Sequence, residues 1–174
     1  GSGKGTQASG LAAERHLVHI STGDILRGAV SAGTELGRRV ETILAAGELV
    51  PDEVMMDLIG ERLAAPDARW GWLLDGFPRN MKQARILEEI FKKTKTGIDA
   101  VLLIETNDHE IVKRLSSRRQ CPKCHTIYGL NIPPKTDGKC DNDGALLVLR
   151  DDDKAEVIKK RLEVYRQSAG KLAE

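Results

Sequence analysis

Three short aliphatic runs limit what this chain can become: residues 17–21 (LVHIS), residues 72–74 (WLL) before Asp75, and residues 100–104 (AVLLI) before Glu105. Each ends in polar residues and is flanked by segments of helical periodicity. A strand that is apolar on both faces needs helices above and below it, which is what a parallel sheet with crossover helices provides. The fold class read from this pattern is α/β, a parallel sheet covered by helices. With 174 residues, 40% hydrophobic and only 3% aromatic, the chain suits one globular unit whose core is Leu, Ile, Val and Ala.

Two stretches break the alternation. Residues 23–52 read as short helices punctuated by Gly28, Gly33, Gly37 and Gly47 and ending at Pro51, with no strand among them. Residues 120–150 contain all three cysteines together with Pro122, Pro133, Pro134 and several Gly and Asp, a loop-rich insert the size of a small metal-stapled module. Both are excursions from the core. The net charge of +1 gives no general attraction to nucleic acid or anionic lipid, so any positive site is a local cluster of arginines. No apolar run approaches the roughly 18 residues of a membrane span, and the reading is a cytoplasmic protein that binds neither membrane nor nucleic acid.

The opening GSGKGTQ looks like the back half of a phosphate-cradling loop. In the pattern G-x-x-x-x-G-K-[ST], glycines turn successive backbone N–H groups onto phosphate oxygens and the Lys meets the outer phosphates. Gly3 and Lys4 supply the G-K pair, and Gly5 pushes Thr6 one place on. Residues 7–15 continue as an amphipathic helix through Ala8, Leu11 and Ala12. A flexible leader is the other reading of these seven residues.

Phosphoryl transfer asks little covalent work of a protein: two substrates held in line, water excluded and negative charge met by cations. Arginine suits the last task, because its planar fork bonds phosphate oxygens in pairs and stays protonated. Arg79 lies just beyond the end of the second aliphatic run, where α/β folds bind ligands. Arg114 and Arg118 stand four apart on an expected helix, Arg118 on its apolar stripe with Ile111, and Arg161 lies similarly between Val157 and Tyr165. Charges on an apolar face require a partner. Asp75 ends a strand where a Walker B carboxylate would hold Mg²⁺ through water, and it equally suits a turn cap next to Gly76. Asp24 reads as a helix cap, and His16, His19 and His109 as surface or packing residues.

Cys121, Cys124, Cys140 and Asp143 form CxxC, fifteen residues, then CxxD. Two knuckles at this spacing bring four ligands to one tetrahedral Zn²⁺, and a site with no open position is structural. A segment held by side-chain hydrogen bonds with free thiols is the alternative.

The motifs GKGTQ, ISTGDILR, ELVPDE, LLDGFPRN with Gln83, RLSSRR and LRDDD occur in this order. In order and spacing the chain resembles the adenylate kinase family, in the long form whose lid carries a zinc clip, over nearly its whole length. The resemblance implies a P-loop kinase core over 1–22, 53–119 and 152–174, a monophosphate-binding insert over 23–52 and a lid over 120–151. It also implies a strand before Gly1 and further elements after Glu174, so the sequence looks truncated at both ends and the activity of a chain lacking them is in question.

What the resemblance implies for the site can be stated residue by residue. Gly1, Ser2, Gly3, Lys4, Gly5 and Thr6 cradle ATP phosphates. Thr22, Arg27, Glu48, Leu49, Val50, Gly76, Phe77, Pro78, Arg79 and Gln83 surround AMP, with Arg27 and Arg79 on its phosphate and Gln83 on the adenine edge. Ile127 and Tyr128 lie over the ATP. Arg114, Arg118, Arg150 and Arg161 meet phosphates, and Lys4, Arg79, Arg118, Arg150 and Arg161 form the catalytic set. Asp152 and Asp153 cap the next helix or pair with lid arginines. The implied reaction is Mg·ATP + AMP ⇌ 2 ADP in a monomer with structural Zn²⁺. Its rivals are a UMP/CMP kinase of the same fold, a fragment without turnover, and a zinc-ribbon module that binds nucleic acid.

Overall fold

The computed structural model describes residues 1–168 and Leu172; the end of the expected core segment, 169–171 and 173–174, lies outside them. Helix α1 (Lys4–Arg15) starts three residues earlier than the apolar periodicity suggests, because Gly3 at φ 94° turns the chain directly into it. Strand β1 (Val18–Ser21) runs into α2 (Thr22–Ser31), whose first turn is capped by Ser21 accepting from the Asp24 N–H. Helix α3 (Glu35–Ala45) is capped by Thr34, and α4 (Asp52–Ala64) starts just after Pro51. A 3₁₀ turn at Pro66–Trp70 leads to β2 (Trp72–Asp75), and Asn80 caps α5 (Met81–Thr94). Helix α6 (Asp108–Ser117) is followed by the short antiparallel pair β3 (Arg119–Gln120) and β4 (Ile127–Tyr128), and after a 3₁₀ turn at Asp151–Asp153 comes α7 (Ala155–Ser168).

Strands β1 and β2 pair in parallel with Val18 opposite Trp72 and Ser21 opposite Asp75. The α/β class and the parallel pairing are as expected, but the third strand is not: residues 100–104 run without strand pairing, with Val101 82% and Leu102 70% exposed. An aliphatic run records a preference for extended backbone, whereas a strand exists only when a neighbour accepts and donates its ladder bonds. No described segment lies beside 100–104 to do so.

One buried cluster joins Ile20 of β1, Leu26, Val40, Met55 and Ile59 from α2, α3 and α4, Val50 from the connection before α4, Phe77 and Leu87. It is aliphatic as the composition requires, apart from Phe77 and a stacked pair, Trp72 and Phe91, with ring centroids 5.6 Å apart. A second, smaller cluster gathers Cys121, Tyr128 and Cys140 with Ala145 and Leu147. Helix α3 lies so close to α2 that a Cβ on Gly37 would stand 2.1 Å from the Ala29 carbonyl oxygen. That neighbour is backbone and cannot swing aside.

Gly37→Ala is therefore expected to destabilise the chain by about 1–3 kcal/mol through overpacking. Denaturant unfolding of both proteins checks this; an unchanged midpoint would mean that α3 can move away from α2 without loss.

Candidate active site

The C-terminal ends of β1 and β2 deliver two segments to one place. Ser21 hands over to Thr22, whose buried hydroxyl donates to the Asp75 carbonyl at 3.3 Å. Beyond Asp75, Gly76 has φ 86°, and a Cβ there would meet Thr22 Oγ1 at 2.8 Å and Arg79 Nη2 at 3.2 Å, so only glycine fits. The turn aims Arg79 into a cleft lined also by Thr22, Arg27, Glu48, Leu49, Val50, Gly76, Phe77, Gln83, Asp152 and Arg161. Pro78, following a cis peptide bond after Phe77, belongs to the same turn. A second depression, on α5 between Met81 and Glu89, contains none of the predicted residues.

Arg27, Arg79 and Arg161 line this cleft, and Lys4, Arg118 and Arg150 lie near enough for their charges to act on one another or on these three. Lys4 is open to solvent yet walled by protein on several sides; that desolvation and the like charges of Arg79, Arg161 and Arg118 lower its pKa, against the pull of Asp75. Arg79 is likewise reached by solvent while set deep among other groups, and desolvation, Arg161 and Arg27 act on it in the same direction. Arg150 is only 9% exposed, and burial with Arg27 and Arg118 brings it down to about 10. Its Nε donates to Gln120 Oε1 at 2.6 Å, while Nη2 is buried with no protein partner among the described residues. Such mutual depression is the mark of positive charges assembled for an anion.

Two aspartates hold the cluster in place. Asp153, with no exposed side-chain surface, accepts two bonds from Arg118, from Nε at 2.6 Å and Nη2 at 2.5 Å, and one from Arg161 Nη1 at 3.3 Å. Arg161 also reaches Asp152 Oδ2 at 3.0 Å. Arg118 is not on the apolar stripe of α6, as the helical spacing suggests; it caps that helix with extended backbone, which frees its side chain to cross to Asp153. Arg114 stays on α6 and pairs with Glu110 at 3.3 Å. Arg27 donates to Asp24 at 2.6 Å, so Asp24 serves as an ion-pair partner and Ser21 as the cap. The Glu48 carboxylate is paired with Lys160.

On the other side of the cleft, the carboxylate of Asp75 faces Lys4 and lies 3.4 Å from where a Cβ on Gly5 would be. His19, read from sequence as surface or packing, has Nε2 3.8 Å from Asp75 Oδ2 and Nδ1 3.3 Å from Ser9 Oγ. The alternation of β1, with Ile20 turned inward, is the signal that would have placed His19 on the opposite face. Gly1 packs against Ile111 of α6, and Ser2, Gly3 and Thr6 complete the turn into α1, whose N-terminus has no side-chain cap. Its first N–H groups have no acceptor within the helix.

Outside the cleft, Cys121, Cys124, Cys140 and Asp143 place one ligand atom each within 4.8 Å of one another. Hydrogen bonds from Thr126 bring Cys124 down to about 7, the Ala145 N–H draws Asp143 down to about 2, and burial pushes Cys121 up to about 11. Backbone N–H groups of Lys123 and Cys124 both lie 3.4 Å from Cys121 Sγ. Tyr128, expected over a nucleotide, has its side chain buried in this cluster: its hydroxyl donates to Cys140 Sγ at 3.5 Å and accepts from the Asp141 N–H at 2.8 Å. Strand alternation in β4 sends Tyr128 inward and leaves Ile127 exposed.

Comparison with known proteins agrees with this geometry. The family model described as adenylate kinase matches residues 1–174. The chain belongs to the adenylate kinase family. It is 49% identical over 175 residues to an adenylate kinase of Petrotoga mobilis, covering all of this chain and 80% of that protein. It is 49% identical over 173 residues to one of Methanothrix thermoacetophila and 48% identical over 168 residues to one of Streptomyces coelicolor, covering 80% and 77% of those proteins. Membership makes the chain a nucleoside monophosphate kinase, a phosphotransferase acting on AMP. No described helix is long and apolar enough to cross a membrane.

Removing Asp153 strands two guanidinium groups on a buried surface. Asp153→Ala is expected to cost about 3–5 kcal/mol of stability, the price of breaking a buried pair from one side. Thermal and denaturant unfolding test it, and a loss below 1 kcal/mol would show that the pair is dispensable.

Proposed function

We propose that reversible transfer, Mg·ATP + AMP ⇌ 2 ADP, takes place in this cleft. The observation that carries the reading is the convergence of Lys4, Arg79, Arg118, Arg150 and Arg161, which belong to separate stretches of sequence, on one mutually repelling cluster. A chain of phosphates from two nucleotides supplies the counter-charge that the two aspartates leave unmet. Arg27 and Arg79 hold the monophosphate, Lys4 and the turn before α1 hold the triphosphate, and Arg118, Arg150 and Arg161 stabilise charge on the group in transit. Arg114 joins them when its half-buried bond to Glu110 is exchanged for phosphate. Thr22 and Gln83 face the acceptor base; Leu49 and Val50 pack against it, and Ile127 is the exposed apolar residue that would meet ATP.

Asp75 fits Mg²⁺ held through water, since a carboxylate beside the cradle's Lys is a hard oxygen donor in reach of phosphates. When bound, the ion neutralises charge on the β- and γ-phosphates. The protein's own part is to place Asp75 with Thr22 and Gly76 and to keep Lys4 beside it.

Residues 23–52 form the segment that closes over AMP, and 120–151 the lid that closes over ATP, each shutting out water that would compete for the phosphoryl group. Three thiols and one carboxylate within 4.8 Å match a closed tetrahedral zinc site. Hydrogen bonds from backbone N–H groups and from Tyr128 to the sulfurs are the outer support such a site uses. Free cysteines gathered as ligands suit the reducing cytoplasm, and the chain acts as a monomer.

Given ADP and Mg²⁺ alone, the protein is expected to produce ATP and AMP in equal amounts in a coupled assay. Release of inorganic phosphate in place of AMP would overturn transfer in favour of hydrolysis. Arg150→Met is expected to lower kcat/KM by about 10²–10³; a change under threefold would remove that residue from the transferring site. Zinc at about a thousand times its Kd is expected to add about 4 kcal/mol to stability. Melting curves with zinc and with a chelator check this, and a Cys140→Ser variant that still gains from zinc would disprove the assigned ligand set.

A further inference from the structure

Gln83 is 2% exposed and stands in the wall of the cleft with Thr22, Phe77 and Arg79. A side-chain amide has two ends of nearly equal shape, one a double donor and one a double acceptor, and its neighbours decide which end points where. Here both neighbours are unambiguous. The Arg79 backbone N–H, which can only donate, lies 2.7 Å from Oε1. Asp52 Oδ1 accepts from Nε2 at 2.9 Å.

Asp52 is itself kept as a pure acceptor. Burial works against its charge, but hydrogen bonds from Gln83, Asn80 and Lys82 outweigh it and hold the carboxyl below the ordinary aspartate value. Asn80 Nδ2 donates to Oδ1 at 3.3 Å, and Lys82 Nζ lies 3.3 Å from Oδ2. Pro51 fixes the backbone just before it, and α4 starts at Asp52, so the carboxylate is presented from a rigid element.

Two of the four hydrogen-bonding positions of the Gln83 amide are thus occupied, leaving one N–H and one oxygen lone pair. Adenine offers an acceptor at N1 beside a 6-amino donor, and guanine offers N1–H beside a 6-oxo acceptor. For a base fixed in place by its phosphate and the apolar wall, one amide orientation suits the first purine and the reversed orientation suits the second. We propose that Asp52 contributes to nucleobase specificity as a positioning residue: together with the Arg79 N–H it fixes which end of Gln83 donates, and so favours a 6-amino purine monophosphate over a 6-oxo one. This rests on the assignment of Gln83 to the acceptor base made above. Buried polar groups left unpaired by the wrong base supply the penalty.

The test is the ratio of dissociation constants for GMP and AMP, measured by isothermal titration on the full chain, for the parent, Asp52→Ala, Asp52→Asn and Gln83→Ala. Because both ligands are titrated into the same preparation, the ratio is insensitive to lost folded protein. Preference for AMP is expected to fall about tenfold or more in Asp52→Ala and less in Asp52→Asn, which keeps one acceptor oxygen. If both Asp52 variants keep the parent's ratio while Gln83→Ala loses it, the role of Asp52 is overturned and the base contact stands. If Gln83→Ala also keeps it, the base contact itself is wrong and the proposal falls with it.

Discussion

Asp153 is where the two flanks of the cysteine-bearing segment are tied together. Arg118 lies 35 residues before it and Arg161 eight after, and both guanidinium groups end on a carboxylate that no solvent reaches. Burying a charge in this way costs several kcal/mol unless its partners are well aligned, and the paired bonds from Arg118 supply that alignment. Because the bonds fix where α6 ends and α7 begins, they also fix where the remaining donors of Arg118 and Arg161 stand. The positions of Arg118 and Arg161 follow from this one anchor, while Arg79 is held by the Gly76 carbonyl and Arg150 by Gln120.

That cluster is at odds with the stability of the chain that carries it. Lys4, Arg79 and Arg150 each have their charged forms disfavoured by desolvation and by neighbouring arginines. Asp75, Asp152 and Asp153 offset part of the repulsion, and in the proposed reading a polyanion relieves the remainder. Pre-assembled donors of this kind need no rearrangement when charge moves during transfer, which is why the unfavourable arrangement is useful. A tidier protein, with every arginine paired to its own carboxylate, would be more stable and a poorer kinase.

Much of this was legible in the sequence, and what was not shares a physical cause. The α/β alternation, the cysteine spacing and the turn at Gly76 are local patterns, carried by residues a few positions apart. Pairings between distant residues leave no such trace: nothing in AVLLI reveals whether a neighbouring strand is there, and nothing near Arg150 points to Gln120 thirty positions earlier. Arg118 misled because the helical spacing of RLSSR continues past the last helical residue, Ser117. Asp52 read as part of a motif, ELVPDE, while its contact with Gln83 spans 31 positions. Nothing local to Tyr128 announces the bond its hydroxyl makes to the sulfur of Cys140, twelve positions on.

The small cluster around Cys121, Tyr128 and Cys140 shares no residue with the main one. A segment that packs around its own residues can loosen or tighten by itself: a change confined to Ala145 or Leu147 alters the small interior and leaves the contacts of Ile20 and Ile59 in the large one as they are.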